Sequence, residues 1–327
     1  MPIPRQVTEH PIGELAALPR RAAVPAGMKV FTCPGCHAVT ESDSLSDKCQ
    51  FCATPLVADA AAMERVVPEA VLPFGIGREQ AREELRKWTK SRWFAPSSLK
   101  KVTEAETFRG SYLPHWTYDA DTVTEYTGER GEHYWETETY TETVDGETVE
   151  RTRQVQRTAW YPASGTVGRF FDDVLVPGST SVPEQQLDKL TPWPLPEAVP
   201  YQEEYLAGFR TVRYDVEPED GLESAKRRMA PVIRADCTSD IGGDEQRVHS
   251  MSTSYSDVTY KLLLLPVWFL TYLHAGKAWQ VMVNARTGEV IGERPYSPLK
   301  IAVACLAAAL VVAAVVLVVM MNKSHHH

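Results

Sequence analysis

Residues 133–158 read HYWETETYTETVDGETVERTRQVQRT. On either side of Asp145-Gly146, a dipeptide suited to a two-residue type I′ turn, polar and β-prone residues alternate from His133 to Val144 and from Glu147 to Thr158. Pairing Val144 with Glu147 sets the register of a hairpin. Glu138 then faces Arg153, Tyr140 faces Arg151 and Tyr134 faces Arg157 on one side, while Thr139 meets Thr152 and Thr143 meets Thr148 on the other. Neither side is apolar enough to be core. The segment therefore predicts a β-arm of about 40 Å, at about 3.4 Å per residue. Such an arm reads equally as a contact surface and as a solvated hairpin with no task.

Moving outward, Phe108 to Asp121 predicts a strand holding Leu113-Pro-His-Trp116, where a proline implies an edge, a bulge or a strand start. His115 in that strand reads as packed. Trp160 to Val176 predicts the return strand. Asp172 and Asp173 are adjacent in it and point to opposite faces, so they do not form a cooperating carboxylate pair. Before the arm, Arg78 to Lys90 predicts a helix with Ala81, Leu85 and Trp88 on one face and a Glu83–Lys87 pair on another. After it come a strand from Phe209 to Val216 and a helix from Pro218 to Met229 with Leu222, Ala225 and Met229 on one face. A strand from Val258 to Tyr272 follows, containing Leu265-Pro-Val-Trp268, and a hairpin turns through Asn284 to Gly288. Strand, helix, strand with Leu-Pro-x-Trp and hairpin thus occur twice, which predicts two copies of one α+β module.

Near the N-terminus, Cys33-Pro-Gly-Cys36 is separated by twelve residues from Cys49-Gln-Phe-Cys52. Each C-x-x-C forms a tight knuckle that places two thiolates on one ion, and two knuckles complete a tetrahedral S4 set. The competing reading is a pair of redox dithiols, which more often open a helix in a βαβ setting. Four thiolates leave no open coordination position, so the expected cofactor is one structural zinc, held by Cys33, Cys36, Cys49 and Cys52. The other two cysteines, Cys237 and Cys305, have no evident partners, a pattern of reducing compartments.

At the other end, Ile301 to Met321 is a run of twenty-one residues without a charge, Pro or Gly, bracketed by Lys300 and Lys323. At about 1.5 Å per residue a helix there spans roughly 31 Å, the thickness of a bilayer core. The expectation is a single-pass, tail-anchored cell-membrane protein with its bulk in the cytoplasm, since no apolar run opens the chain. His325 to His327 read as a purification-tag remnant. Along the chain this gives an irregular lead-in (1–27), a zinc ribbon (28–58), a first α+β module (66–180) with its arm (133–158), and a Pro-rich connection (181–200). A second mainly antiparallel α+β module (201–296), a transmembrane helix (300–321) and a tail (322–327) follow.

A net charge of −9 disfavours nucleic acid as the main partner, because phosphate binding draws on clustered Lys and Arg. Enzyme signals are missing too. His115, His133, His249 and His274 lie at no metal or triad spacing, no G-x-S-x-G elbow is present, and Gly75-Ile-Gly77 is too short to imply a nucleotide. Asp240-Ile-Gly-Gly-Asp-Glu lacks the alternating ligands of a calcium loop and reads as a bulged turn.

The ribbon, together with Phe171-Asp-Asp-Val-Leu-Val, Tyr205-Leu-Ala-Gly-Phe, Asp240-Ile-Gly-Gly-Asp-Glu-Gln, Leu265-Pro-Val-Trp and Asn284-Ala-Arg-Thr-Gly-Glu-Val-Ile-Gly-Glu, resembles a bacterial family of TFIIB-type zinc-ribbon membrane proteins. The glycine that commonly follows each knuckle is replaced here by His37 and Ala53. The Asn284 to Ile291 hairpin also looks like that of PepSY-type domains. Members are often labelled primosomal protein N′ or replication-factor-Y-like helicases, a label this chain does not support because no G-x-x-x-x-G-K-[ST] phosphate cradle is present. The resemblance implies association with SPFH (flotillin-like) scaffolds and membrane-maintenance proteins. The sequence thus predicts a non-enzymatic membrane adaptor without catalytic residues, and leaves a homo-oligomer open. A membrane-tethered nucleic-acid-binding ribbon protein is the alternative.

Overall fold

The computed structural model describes residues 7–17, 20–21, 28–43, 48–58, 65–91, 108–144, 147–274, 277–292 and 298–324. In chain order its short early strands are β1 (His10–Pro11), β2 (Arg20–Arg21), β3 (Lys29–Thr32), β4 (Val39–Ser42), β5 (Val57–Ala58), β6 (Arg65–Val66) and β7 (Ala70–Val71). Helix α1 (Arg78–Lys90) precedes two very long strands, β8 (Phe108–Val144) and β9 (Glu147–Pro177). Then come β10 (Val199–Pro200), β11 (Arg210–Val212), α2 (Pro218–Ile241), β12 (Glu245–His274), β13 (Lys277–Asn284), β14 (Val290–Gly292) and α3 (Pro298–Ser324). All strands but β2 and β6 join one 12-stranded sheet, so the chain is a mixed α+β protein built on one large sheet.

The centre of that sheet is the antiparallel pair β8–β12, in which Leu113 stands directly opposite Leu265. The two Leu-Pro-x-Trp motifs are therefore placed about a local two-fold relation, and their surroundings repeat it. Strand β11 runs parallel to β8 (Arg210 beside Ser111), and β7 runs parallel to β12 (Ala70 beside Leu263). Trp116 Nε1–H donates to Val216 O at 2.9 Å, and Trp268 Nε1–H donates to Ile76 O at 2.9 Å. Each carbonyl lies just ahead of a helix. The Pro114 carbonyl accepts from Gly178 N–H at 2.9 Å, and that of Pro266 accepts from Ala285 N–H at 3.0 Å.

The two modules expected at 66–180 and 201–296 are nevertheless not separate bodies. Helix α1 lays Ala81 and Leu85 on Val281, Val283 and Trp268 of the second half, whereas α2 lays Ala225, Met229, Ile233 and Cys237 on Trp116, Tyr118 and Val176 of the first. Each half thus supplies the cover for the other's strands. The run Leu262-Leu-Leu-Leu265 is buried on both faces, and an isolated module would leave one of them wet.

Four further expectations need correction. Helix α2 continues past Met229 to Ile241 through an internal Pro231, because Ile233, Cys237 and Ile241 extend the buried stripe at four-residue steps. The Asp240 to Glu245 segment is accordingly a helix end rather than a bulged turn: Gly242 caps it at φ 64° and Gly243 follows at φ 77°. On α1, Lys87 pairs with Glu84 at 2.6 Å and not with Glu83. Part of the lead-in is ordered as well, since His10–Pro11 pairs with Tyr260 and Thr259 of β12 and Ile12 packs on the core.

The arm has the expected register throughout, including Glu138–Arg153, Tyr134–Arg157 and Thr139–Thr152; its turn, Asp145-Gly146, lies outside the described residues. Strand β12 accompanies β8 as far as Gly131, beyond which the hairpin stands as two strands.

Helix α3 covers the apolar C-terminal run. Its described outward side chains Val303, Leu306, Leu310, Val312 and Val315 are exposed on all sides of the helix. Among the described residues no helix is long and apolar enough to cross a membrane.

Candidate metal centre

Strand β3 enters the first knuckle and β4 leaves it. Cys33 N–H donates to Ala38 O at 3.0 Å, His37 N–H to Cys33 O at 2.9 Å, and Gly35 N–H reaches Cys33 Sγ at 3.4 Å. The second knuckle repeats these bonds sixteen positions on, with Cys49 N–H to Thr54 O at 2.7 Å, Ala53 N–H to Cys49 O at 2.9 Å and Phe51 N–H to Cys49 Sγ at 3.4 Å. Amide donors aimed at sulfur favour the thiolate over the thiol. Closing each knuckle requires a left-handed residue, and that residue is His37 (φ 60°) in one and Ala53 (φ 63°) in the other. Neither position carries the glycine that would adopt this conformation without strain.

The four sulfurs lie within 4.8 Å of one another. Cys33 Sγ is 3.4 Å from Cys52 Sγ, and Cys36 Sγ is 3.5 Å from Cys49 Sγ. A tetrahedron with metal–sulfur bonds of about 2.3 Å has edges of about 3.8 Å, so the cluster has the size of a structural zinc site. Burial pushes the Cys36 thiol up to about 11 and the Cys49 thiol higher still. At Cys52 burial also acts upward, but the Thr54 hydroxyl and amide and the Cys33 thiol outweigh it and bring the group down to about 7. A divalent cation held by Cys33, Cys36, Cys49 and Cys52 would supply the charge that lets all four ionise together, with release of protons on binding. Thr54, whose Oγ1 is 3.2 Å from Cys52 Sγ, is a supporting residue that spacing alone did not reveal.

The ribbon is welded to the body. Strand β4 pairs with β11, placing Glu41 beside Thr211, and Cys33, Cys49 and Phe51 share one core with Leu113, Val212, Val267, Phe269 and Met282. Phe51 meets Phe269 edge-on at 5.4 Å. Ser111 Oγ donates to Gln50 Oε1 at 2.5 Å, a further tie from the ribbon to the centre of the sheet.

A second cluster escaped the sequence reading. Glu9, Asp119 and Asp173 also bring their carboxylates within 4.8 Å, at a level where β8, β9 and β12 are all irregular and Asp173 and Asp257 have positive φ. Lys261 sits among them, 2.6 Å from Glu9 Oε1 and bonded to Asp173 Oδ1. Its ammonium already supplies the cation, so the cluster latches the N-terminal segment to the sheet. Asp119 is pushed up to about 6, chiefly by burial and next by Glu9, whose own carboxyl is held low mainly by its hydrogen bond to Asp119. Asp172 is exposed and Asp173 half-buried, and the two lie at the register shift opposite Asp119, where the regular strand alternation expected of them is interrupted.

The histidines remain scattered. His115 is buried, with its pKa lowered to about 4 by desolvation. His133 bonds Glu245 at 2.9 Å, His249 lies 3.5 Å from Glu129, and the side chain of His274 lies outside the described residues. Beside the buried pair Arg213–Glu41 (3.1 Å) is a cavity of about 90 Å³ that Thr211, Tyr201 and Leu262 help to line. Burial raises the Glu41 pKa against the pull of Arg213.

No family model matches the chain, and no solved structure matches it. It is similar to a Bacillus subtilis (strain 168) protein described as uncharacterized protein YdjG, with 24% identity over 239 residues, 72% of this chain. The match spans 66% of that relative's length, just under two thirds.

Proposed function

We propose that the protein is a zinc-stabilised, membrane-anchored adaptor whose β-arm presents a contact surface to a scaffold on the cytoplasmic face of the cell membrane. The observation that carries this reading is the arm. Beyond Gly131 both its faces are in water, Trp135 is 66% exposed and Tyr134 47%, and among the described residues nothing covers them. Exposed aromatics on a rigid ribbon supply contact area at little cost in side-chain entropy. The closed thiolate set supports a structural zinc, which leaves the ion no catalytic position.

The membrane part of the reading rests on the uncharged run from Ile301 to Met321 and on apolar side chains exposed all round α3, a pattern that water does not tolerate in an ordinary surface helix. Anchoring raises the effective concentration of weakly attractive surfaces, so modest arm contacts suffice for multivalent binding. The resemblance of the ribbon and the later motifs to TFIIB-type zinc-ribbon membrane proteins makes an SPFH-type assembly the partner of choice.

The test is mild extraction of the tagged full chain and of a variant lacking Trp135 to Gln156, rejoined through Asn-Gly between Tyr134 and Arg157, which are already paired. Co-purifying proteins are then identified by mass spectrometry. The adaptor reading expects a scaffold protein with the full chain and its loss with the variant, at unchanged zinc content. Equal recovery by both moves the contact elsewhere, and retention on DNA without any scaffold protein replaces the adaptor with a nucleic-acid-binding ribbon.

A further inference from the structure

Where the ribbon joins the sheet, Thr211 of β11 stands directly opposite Glu41 of β4 and beside Tyr112 of β8. Paired residues of neighbouring strands project to the same face, and on that face Pro114 is opposite Leu264 and Trp116 opposite Leu262. Glu41, Thr211, Pro114, Leu262 and Leu264 thus form the floor of the cavity of about 90 Å³. Its roof comes from Val66 to Pro68, ahead of β7, and from Tyr201 and Leu206, ahead of β11. Tyr201 N–H donates to Glu69 O at 3.0 Å, which joins the two roof segments, and Val66 N–H donates to Tyr214 Oη at 2.9 Å, which ties the roof to the end of β11. The walls are therefore held in place by the fold itself. Thr211 is 6% exposed, and its Oγ1 is buried without a hydrogen-bond partner. A buried hydroxyl in that state is destabilising unless something from outside the chain bonds to it. Glu41 beside it is 9% exposed and receives Arg213 Nε at 3.1 Å on Oε1. A carboxylate accepts at about four lone-pair positions, so acceptor capacity remains on a group that lines the cavity.

We infer that this cavity binds a small neutral primary carboxamide with a short apolar tail, its oxygen accepting from Thr211 Oγ1–H, its nitrogen donating to Glu41, and its tail lying on Leu206, Leu262 and Leu264. The class follows from charge, spacing and size. An anion would meet the carboxylates of Glu41 and Glu203, and a cation would compete with Arg213 for Glu41. Cross-strand neighbours have Cβ atoms about 5 Å apart, so the donor and the acceptor stand side by side. A carboxamide carries its acceptor and its donor on two atoms that diverge from one carbon, which suits such a pair, whereas an alcohol must serve both from a single oxygen. The cavity has room for about six water-sized atoms, at roughly 15 Å³ each, and so for a molecule of about six non-hydrogen atoms. Leu206, Leu262 and Leu264 are all buried, and an apolar tail against them displaces water that finds few partners there. Binding would brace β4, β11 and the roof together, so the folded state gains stability in proportion to the occupancy.

The probe is butyramide, which has six non-hydrogen atoms as a matter of its formula, about the number the cavity takes. The full chain in neutral detergent is titrated with it and, separately, with butyrate and with pentan-2-one, which keeps the acceptor and lacks the donor. Binding is read by saturation-transfer NMR and by the melting temperature, and Thr211→Val in the same detergent reports any uptake by micelles. Butyramide is expected to give a saturable signal and a higher melting temperature, with binding about fivefold or more weaker in Thr211→Val. Leu206→Phe, which fills the cavity without touching either polar group, should abolish the signal, and retained zinc in each variant reports an intact fold. Should Thr211→Val lose its zinc, Leu206→Phe alone decides. Butyrate and pentan-2-one should bind several-fold more weakly than butyramide. Equal binding of pentan-2-one would overturn the carboxamide class and leave an apolar cavity, and stronger binding of butyrate would overturn the neutral one. No saturable butyramide signal, or a signal unchanged in Leu206→Phe, overturns the site and leaves the cavity to water alone.

Discussion

His37 and Ala53 hold left-handed backbone conformations that cost a non-glycine residue about 1 kcal/mol or more, and they do so at equivalent points of two knuckles. Strain of this kind persists where surrounding bonds over-determine it, and here each knuckle is closed by two backbone hydrogen bonds and one amide on sulfur. Ala53→Gly is therefore expected to raise stability by up to about 1 kcal/mol, read as a higher melting temperature of the zinc-loaded protein. A lower one would mean that the methyl packs better than the strain costs. Asp119 gives a second residue-scale prediction. Its pKa is raised from about 4 in an unfolded chain to about 6, so the native state binds more protons between those values and this group favours folding at low pH, an advantage lost as pH rises through 6. Asp119→Asn keeps the oxygen that accepts Asp173 N–H at 2.7 Å and removes the ionisation. The variant should gain melting temperature over the parent as pH is raised from about 5 to about 7.5, whereas a gap that is flat with pH would show that Glu9 carries the shared proton.

At the scale of elements, the two tryptophans of the Leu-Pro-x-Trp strands do the same work, each tying its strand to the entrance of the helix that covers it. Trp116→Phe and Trp268→Phe each remove one buried indole donor and leave a carbonyl unsatisfied, so each is expected to cost about 1 to 3 kcal/mol in chemical denaturation. The exchange of helices between halves predicts more. Residues 201–296 produced alone should lack a cooperative transition, because α2 would lose Trp116, Tyr118 and Val176; a folded fragment would show that the halves are independent after all. The arm is different. Its Glu138–Arg153 pair is exposed, and such pairs contribute little, so replacing Glu138 by Gln should leave the melting temperature nearly unchanged.

For the molecule as a whole, the ribbon and the body share one sheet and one core. Cys33→Ser with Cys49→Ser should abolish zinc binding and also lower the melting temperature of the body, since Cys33 and Cys49 stand in the same core as Leu113 and Phe269. Loss of zinc with an unaltered body transition would show that the shared core contributes little. What was legible from sequence was set by short-range chemistry. The arm register follows from one dipeptide turn and a period of two, the four-cysteine cluster from the reach of a C-x-x-C knuckle, and the repeat from three residues at the same spacing. The union of ribbon, first half and second half is of another kind: β4 meets β11 across 170 residues of chain, and Lys261 meets Glu9 across 252. Nor did the sequence foretell that β12 would pair with β8 from Phe108 to Gly131 or that α2 would run on through Pro231. Those outcomes belong to tertiary structure, because burying the second face of the Leu262 to Leu265 strand and extending the stripe to Ile241 lower the free energy only when the partner surface is already in place.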